Sequence, residues 1–141
     1  MKEDFVTYEI AVKLKEKGFD WTCMAHFNNI TYNKPTLNYN VTVDDVRGSN
    51  FKSLNKLDSF IDAPTISQVL KWLMEEKDIF IRLEYINQER YGCTIIAQKT
   101  GGLIAQWNWD KFQYANKNPL AGDTYEKAAN AGIKYVIDNL I

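Results

Sequence analysis

Cysteine and histidine are scarce in this sequence, which contains only Cys23, Cys93 and His26. Two cysteines cannot build the disulfide framework on which small secreted domains depend. Cys23 and His26 have the Cys-x-x-His spacing of half a zinc site, but a structural zinc site has four ligands and the chain has no second histidine. We therefore expect no metal, no cofactor and no Cys–His nucleophile.

Long apolar runs and an excess of one charge are also absent. No stretch approaches the roughly 20 apolar residues of a membrane span, and the N-terminal sequence MKEDFVTYEI lacks the apolar run of a signal peptide. Seventeen basic and eighteen acidic residues give a formal charge of −1, so there is no general attraction to nucleic acid or anionic membranes. These absences predict a cytoplasmic protein that does not bind a membrane.

Motifs with a catalytic mechanism are missing as well. The sequence contains no Gly-x-Gly-x-x-Gly, Walker-type loop, His-Glu-x-x-His or Gly-x-Ser-x-Gly motif. The neighbouring carboxylates Asp44 and Asp45, and Glu75 and Glu76, do not by their spacing converge in a cleft, as acid–base pairs must. We predict no catalytic residues and no enzymatic activity.

The composition that is present suits one folded domain over residues 1–141. The chain is 45% hydrophobic and 25% charged, close to the average for folded proteins. Near the N-terminus, Thr7 and Gly18 have the residue types of a helix cap at each end. Strand-like segments and Asn-rich turns follow, so residues 1–62 are expected to form an N-terminal helix with a variable strand and loop subregion.

Residues 64–141 carry the clearest periodicity. In PTISQVLKWLMEEKDIFIRL the apolar residues first follow a helical spacing, and from Ile79 they alternate as in a strand. Two further alternating runs, 91–97 and 103–109, are separated by a glycine-containing hairpin turn. The capping box of Asp123 and Glu126 then opens a last apolar-striped helix.

This order predicts an α+β fold, α-β-β-β-α in residues 64–141, with an antiparallel meander of three or more strands and two helices packed on one face. The alternation places Leu103, Trp107 and Trp109 on the helix-facing side. One core is expected from the inward positions, which are Leu73, Ile81, Ile95, Trp107, Ile133 and Val136.

Two surfaces are candidates for binding. The second face of the meander holds Phe80, Ile96 and Ile104 among polar residues, so either residues 1–62 or a partner is expected to cover it, and partial cover by residues 1–62 is favoured. The second candidate is an aromatic and basic segment after the third strand, where aromatic rings could stack on bases or sugars. Its residues are Lys111, Phe112, Tyr114 and Lys117.

The segments VTYEIAVKLKEKGF, PTISQVLKWLMEEKDIFIRL and TYEKAANAGIKYVIDNLI resemble a family of small uncharacterised proteins from gut bacteria and their phages and mobile elements. The shared pattern includes Pro-Thr-x-Ser-x-x-Leu-x-Trp-Leu. This resemblance implies a phage or mobile-element context and carries no activity with it. In topology, α-β-β-β-α is similar to double-stranded RNA-binding domains and to HicB-type antitoxin domains.

The function expected from these observations is a non-enzymatic protein–protein interaction or accessory protein. The alternative is a nucleic-acid-binding module of the double-stranded-RNA or HicB type, which the acidic cap at Asp123 and Glu126 disfavours because it would repel phosphate. We expect a protein partner, and a second copy of the chain is one candidate.

Overall fold

The computed structural model of this chain describes residues 4–28, 35–39, 61–87, 90–107 and 120–141, and it divides the chain into two units, Met1–Thr65 and Ile66–Ile141. The helices and strands in chain order are α1 (Tyr8–Glu16), β1 (Ala25–Asn28), β2 (Thr36–Tyr39), β3 (Ile61–Asp62), α2 (Ile66–Lys77), β4 (Ile79–Asn87), β5 (Arg90–Ala97), β6 (Gly102–Gln106), β7 (Ala121–Gly122) and α3 (Tyr125–Asn139).

The first unit begins with the predicted capped helix. The Thr7 hydroxyl accepts a hydrogen bond from the Ile10 amide at 3.3 Å, which satisfies one of the amides left open at a helix start. Gly18 follows α1 with a φ of +84°, a conformation that glycine adopts without steric cost. Both predicted caps are therefore confirmed, and Ile10 and Leu14 on the inward side of α1 are buried.

A three-stranded antiparallel sheet completes the described part of the first unit. Its order is β2-β1-β3, and α1 contacts β3. Phe5 forms a bridge with Thr65, which ties the start of the unit to its end. Residues 29–34 and 40–60, which belong to the predicted strand and loop subregion, lie outside the described residues.

The second unit is built on the predicted antiparallel meander, β4-β5-β6. Strands β4 and β5 are paired from Ile79 opposite Ala97 to Tyr85 opposite Tyr91. The short β7 adds to the other edge of β5, opposite Tyr91 and Gly92. The α+β fold is therefore confirmed.

Both helices of the second unit pack on one face of this sheet, and α2 contacts α3. On α3, Gly132 lies against Cys93 of β5 and Ile81 of β4. The core includes five of the six residues expected there, all buried, which are Leu73, Ile81, Ile95, Ile133 and Val136. On α2, Trp72 is buried, whereas Leu70 and Met74 are only partly buried.

The start of α3 differs by one residue from the predicted capping box. Thr124 is the N-cap, and its hydroxyl accepts a hydrogen bond from the Lys127 amide at 3.1 Å. Asp123 forms an ion pair with Lys127 instead, with 3.0 Å between Oδ1 and Nζ. Threonine is one of the preferred N-cap residues, and the Asp123 side chain remains exposed.

The junction between α2 and β4 is a single residue, Asp78, with a φ of +60°. This left-handed conformation is uncommon outside glycine, although aspartate tolerates it better than most residues. Two contacts hold it: the Asp78 carbonyl accepts from the Gln98 amide at 2.9 Å, and its carboxylate accepts from the Lys99 amide at 3.1 Å. The junction is thereby fastened to the β5–β6 hairpin.

Candidate functional site

Three apolar side chains lie side by side across the meander on the face away from the helices. Phe80 on β4 is opposite Ile96 on β5, and Ile96 is opposite Leu103 on β6. Side chains at directly opposed positions share a face and touch their neighbours. Together with Ile104 we call these residues the apolar patch. Phe80 is 41% exposed, Leu103 60% and Ile104 37%, so the patch is open to solvent.

Leu103 belongs to the patch because the strand register shifts beside it. Ala105 is opposite Ile95 and Leu103 is opposite Ile96, so Ile104 is an extra residue between two pairs. Such a bulge lets two consecutive side chains lie on the same face. The prediction that Leu103 faces the helices is therefore wrong. The sequence signal for this bulge was the pair Leu103 and Ile104 directly after two glycines. In a regularly alternating strand, two consecutive apolar residues point to opposite faces.

Trp107 was also assigned to the wrong face. A Cβ atom built on Gly92 would lie 2.5 Å from Cγ of Trp107 and 2.9 Å from Cδ1 of Ile86. Gly92 is opposite Glu84, on the face away from the helices, so the indole ring covers this glycine instead of joining the helix-side core. The absence of a side chain at Gly92 gives the ring its place.

Next to the apolar patch, Glu84 accepts several hydrogen bonds. Its Oε1 atom is 2.7 Å from the Thr94 hydroxyl and 3.1 Å from a terminal guanidinium nitrogen of Arg82. The Thr94 bond, followed by Arg82 and the indole of Trp107, lowers the pKa of Glu84 below its ordinary value, while partial burial opposes this shift. Glu84 is therefore a fixed negative charge and is not tuned for proton transfer near neutral pH. Sequence reasoning missed this cluster because its members come from β4, β5 and the residue that follows β6.

The Cys-x-x-His segment lies in the first unit, where His26 is opposite Asp62 on β3. Cys23, His26 and Asp62 are all buried. Burial, with the negative charge of Asp62, raises the pKa of Cys23, whereas reactive thiols have a lowered pKa. Burial lowers the pKa of His26. In the described ranges, no three His, Cys, Asp or Glu side chains are grouped closely enough to hold a metal ion.

The second cysteine, Cys93, lies in the core of the second unit. Its Sγ atom is 3.3 Å from the carbonyl oxygens of Leu120 and Ala128. Burial raises the pKa of this thiol to about 12, so it remains protonated and can donate to these carbonyls. Its role is in packing against Gly132 of α3, whose missing side chain leaves room for the sulfur.

The first turn of α3 offers little to a phosphate group. Lys127 is paired with Asp123, and this ion pair holds the pKa of the Asp123 carboxyl below its ordinary value. An anion approaching Lys127 would therefore also meet a carboxylate. The four residues of the aromatic and basic segment, Lys111, Phe112, Tyr114 and Lys117, lie outside the described residues, as does Trp109.

No protein-family model, curated protein or solved structure matches this chain. Among the described helices, none is long and apolar enough to cross a membrane. Among the described residues, the apolar patch is the feature that requires an explanation in terms of binding.

Proposed function

We propose that this chain is a non-enzymatic protein-interaction module and that the apolar patch binds its partner. The observation that carries the proposal is the line of Phe80, Ile96 and Leu103 across three paired strands, with two of these side chains more than a third exposed. Scattered apolar residues are normal on protein surfaces, whereas contiguous ones often mark binding sites. An accessory role in a phage or mobile element is the context that the family resemblance implies.

The expected partner is a protein surface with apolar side chains at its centre and hydrogen-bonding groups around them. The patch is bordered by exposed polar side chains, Arg82 on β4, Gln98 in the hairpin and Gln106 on β6. An apolar centre with a polar rim is the usual arrangement of protein interfaces. Arg82 gives the rim a group that can pair with a carboxylate of the partner.

Two observations favour binding over catalysis. The thiols of Cys23 and Cys93 have raised pKa values, and Glu84 is held ionised by its neighbours. The two thiols therefore lack the lowered pKa of a catalytic cysteine nucleophile, and Glu84 lacks the raised pKa of a general acid at neutral pH. An apolar surface that excludes water is, by contrast, what association between proteins uses.

The test uses the full chain, immobilised and exposed to an extract of the organism from which it comes. Proteins retained by the unchanged chain are compared with those retained by Phe80→Glu and Leu103→Glu, which place a charge in the patch. Ser67→Glu is the matched control because it adds the same charge at an exposed position on α2. Each retained protein is then purified, and its affinity for the chain and the three variants is measured by calorimetry.

We expect one protein to bind the unchanged chain and the Ser67→Glu variant alike, and to bind the two patch variants about tenfold more weakly or worse, a loss of about 1.4 kcal/mol or more. Equal affinity for all four chains would refute the role of the patch. Retention that disappears after nuclease treatment would support the nucleic-acid alternative instead.

A further inference from the structure

The outer edge of β4 is open in the described part of the chain, where β5 is the only strand that pairs with it. This edge strand has nine residues, Ile79–Asn87. It contains no proline, and its one irregularity comes between Tyr85 and Asn87, at its end. Natural edge strands are usually short, interrupted or covered, because an open edge can pair with another chain. The long open edge of β4 is therefore a site at which a strand of another chain can pair.

The backbone groups that face outward on this edge can be identified. Cys93 donates its amide to Leu120 and accepts from the Trp107 amide through its carbonyl, so both groups point away from β4. Leu83 is opposite Cys93. Two opposed residues of an antiparallel pair either both point their N–H and C=O groups toward each other or both point them away. Leu83 therefore presents its N–H and C=O at the open edge, as do Ile81 and Tyr85, two residues away on either side.

The sequence of β4 is self-complementary around Leu83. If two copies pair antiparallel with Leu83 opposite Leu83, then Arg82 lies opposite Glu84 of the other copy, and Glu84 opposite its Arg82. Leu83 can exchange both backbone hydrogen bonds with its counterpart because its groups point outward. The Arg82–Glu84 positions become non-hydrogen-bonded pairs, in which opposed side chains are closest.

The charges of Arg82 and Glu84 favour this register over the two registers centred on the adjacent residues. Centring the pair on Arg82 would place Arg82 opposite Arg82, and centring it on Glu84 would place two carboxylates together. Like charges directly opposite each other are destabilising. In the single chain Arg82 and Glu84 are already 3.1 Å apart, with side chains 55% and 32% exposed. In the dimer, the Arg82–Glu84 ion pair of one copy would thus lie beside that of the other copy, with each arginine opposite a glutamate.

We infer that two copies of this chain associate through their β4 edges, antiparallel about a two-fold axis at Leu83, into one continuous sheet. The occupant of the open edge is a second copy because the basic and acidic residues on the outer face, Arg82 and Glu84, each lie opposite a residue of opposite charge only in this arrangement. The inference does not rest on the proposed function. Of the apolar patch only Phe80 lies on the pairing strand, and Leu103, at the far side of the sheet on β6, takes no part in the contact.

The test is a charge exchange followed by analytical ultracentrifugation of the full chain. Arg82→Glu and Glu84→Arg each place like charges opposite one another, so each variant alone should dimerise about tenfold more weakly than the unchanged chain, or worse. An equimolar mixture of the two restores opposite charges at both positions and should form a heterodimer. The double variant Arg82→Glu with Glu84→Arg should form a homodimer again, and Leu103→Glu should dimerise like the unchanged chain.

A backbone variant separates edge pairing from side-chain effects. Tyr85 is 64% exposed, and its N–H points outward, so proline there removes a hydrogen bond of the dimer and none of the β4–β5 ladder. Tyr85→Pro should weaken the dimer about tenfold, while Tyr85→Ala, which also loses the ring, should leave it nearly unchanged. Circular dichroism is the control that checks whether both variants are folded.

An unchanged chain that is monomeric up to roughly millimolar concentration, the weak end of the affinity scale, would overturn the inference. So would a dimer that Arg82→Glu leaves intact, or a mixture of the two charge variants that remains monomeric. Dimerisation that is lost with Leu103→Glu and kept with Tyr85→Pro would place the contact on the apolar patch instead.

Discussion

Gly132 on α3 lies so close to Cys93 on β5 that a Cβ atom at position 132 would be 2.8 Å from the cysteine Sγ. Ile81 on β4 would be 3.3 Å away. This approach lets α3 lie directly on two strands, and it explains a glycine in the buried face of a helix, where it otherwise costs about 1 kcal/mol relative to alanine.

Gly132→Ala is expected to destabilise the protein by about 1–3 kcal/mol through overpacking, in spite of the better helix propensity of alanine. The measurement is the free energy of unfolding in urea. The control is the same substitution in a Cys93→Ala background, where the removed sulfur leaves room and the cost should be smaller. Equal costs in the two backgrounds would show that the sulfur contact does not limit the approach of α3.

Thr94→Val should destabilise the protein at neutral pH by about 0.5–1.5 kcal/mol, because Glu84 loses a hydrogen bond. The lowered pKa of Glu84 means that its stabilising contribution is present above its ordinary pKa of 4.5 and is lost as the pH falls through the lower folded value. The stability difference between the two proteins should therefore shrink on acidification below pH 4.5.

The matched control for this pH dependence is Thr100→Val. The Thr100 hydroxyl accepts from the Gly102 amide at 3.2 Å, a bond in which neither partner titrates. The free energy of unfolding that Thr100→Val removes should be the same at neutral and acid pH, as measured by urea unfolding in both conditions. A pH-independent cost for Thr94→Val as well would show that the Thr94–Glu84 bond does not favour the ionised carboxylate.

Substitutions at Asp78 should follow an order set by its positive φ and its bond to the Lys99 amide. Asn keeps a side-chain acceptor and tolerates the left-handed region, so Asp78→Asn should be close to neutral. Asp78→Gly relieves the backbone but loses the acceptor, and Asp78→Ala loses both advantages, at a cost of about 1–2 kcal/mol. Thermal unfolding of the three variants, with the exposed Glu76→Ala as control, measures this. An alanine variant as stable as the asparagine one would contradict it.

Duplex RNA and DNA are expected to bind no tighter than the non-specific range, about 10⁻⁴–10⁻⁶ M at physiological salt. The reason is the Asp123 carboxylate 3.0 Å from Lys127, at the helix start where a double-stranded RNA-binding domain would be expected to contact phosphate. Titration of labelled duplexes at several salt concentrations gives the affinity and its salt dependence. Submicromolar binding that weakens in Lys127→Glu would favour the nucleic-acid alternative over a protein partner.

Local sequence patterns were sufficient for much of this fold. The Thr7 cap, the positive φ at Gly18 and the switch to alternation at Ile79 were predictable because each depends on a few neighbouring residues and on the fixed repeats of helix and strand. Of the candidate site, Phe80, Ile96 and Ile104 were placed on the right face by alternation alone.

Other features of the sheet depend on contacts between strands. The bulge that turns Leu103 outward, the position of Trp107 over Gly92, and the cluster around Glu84 all depend on which residue of one strand lies opposite which residue of the next. A shift of one residue moves a side chain to the other face. That register is set by the packing of the whole sheet and its helices, and so a periodic pattern within one strand does not contain it.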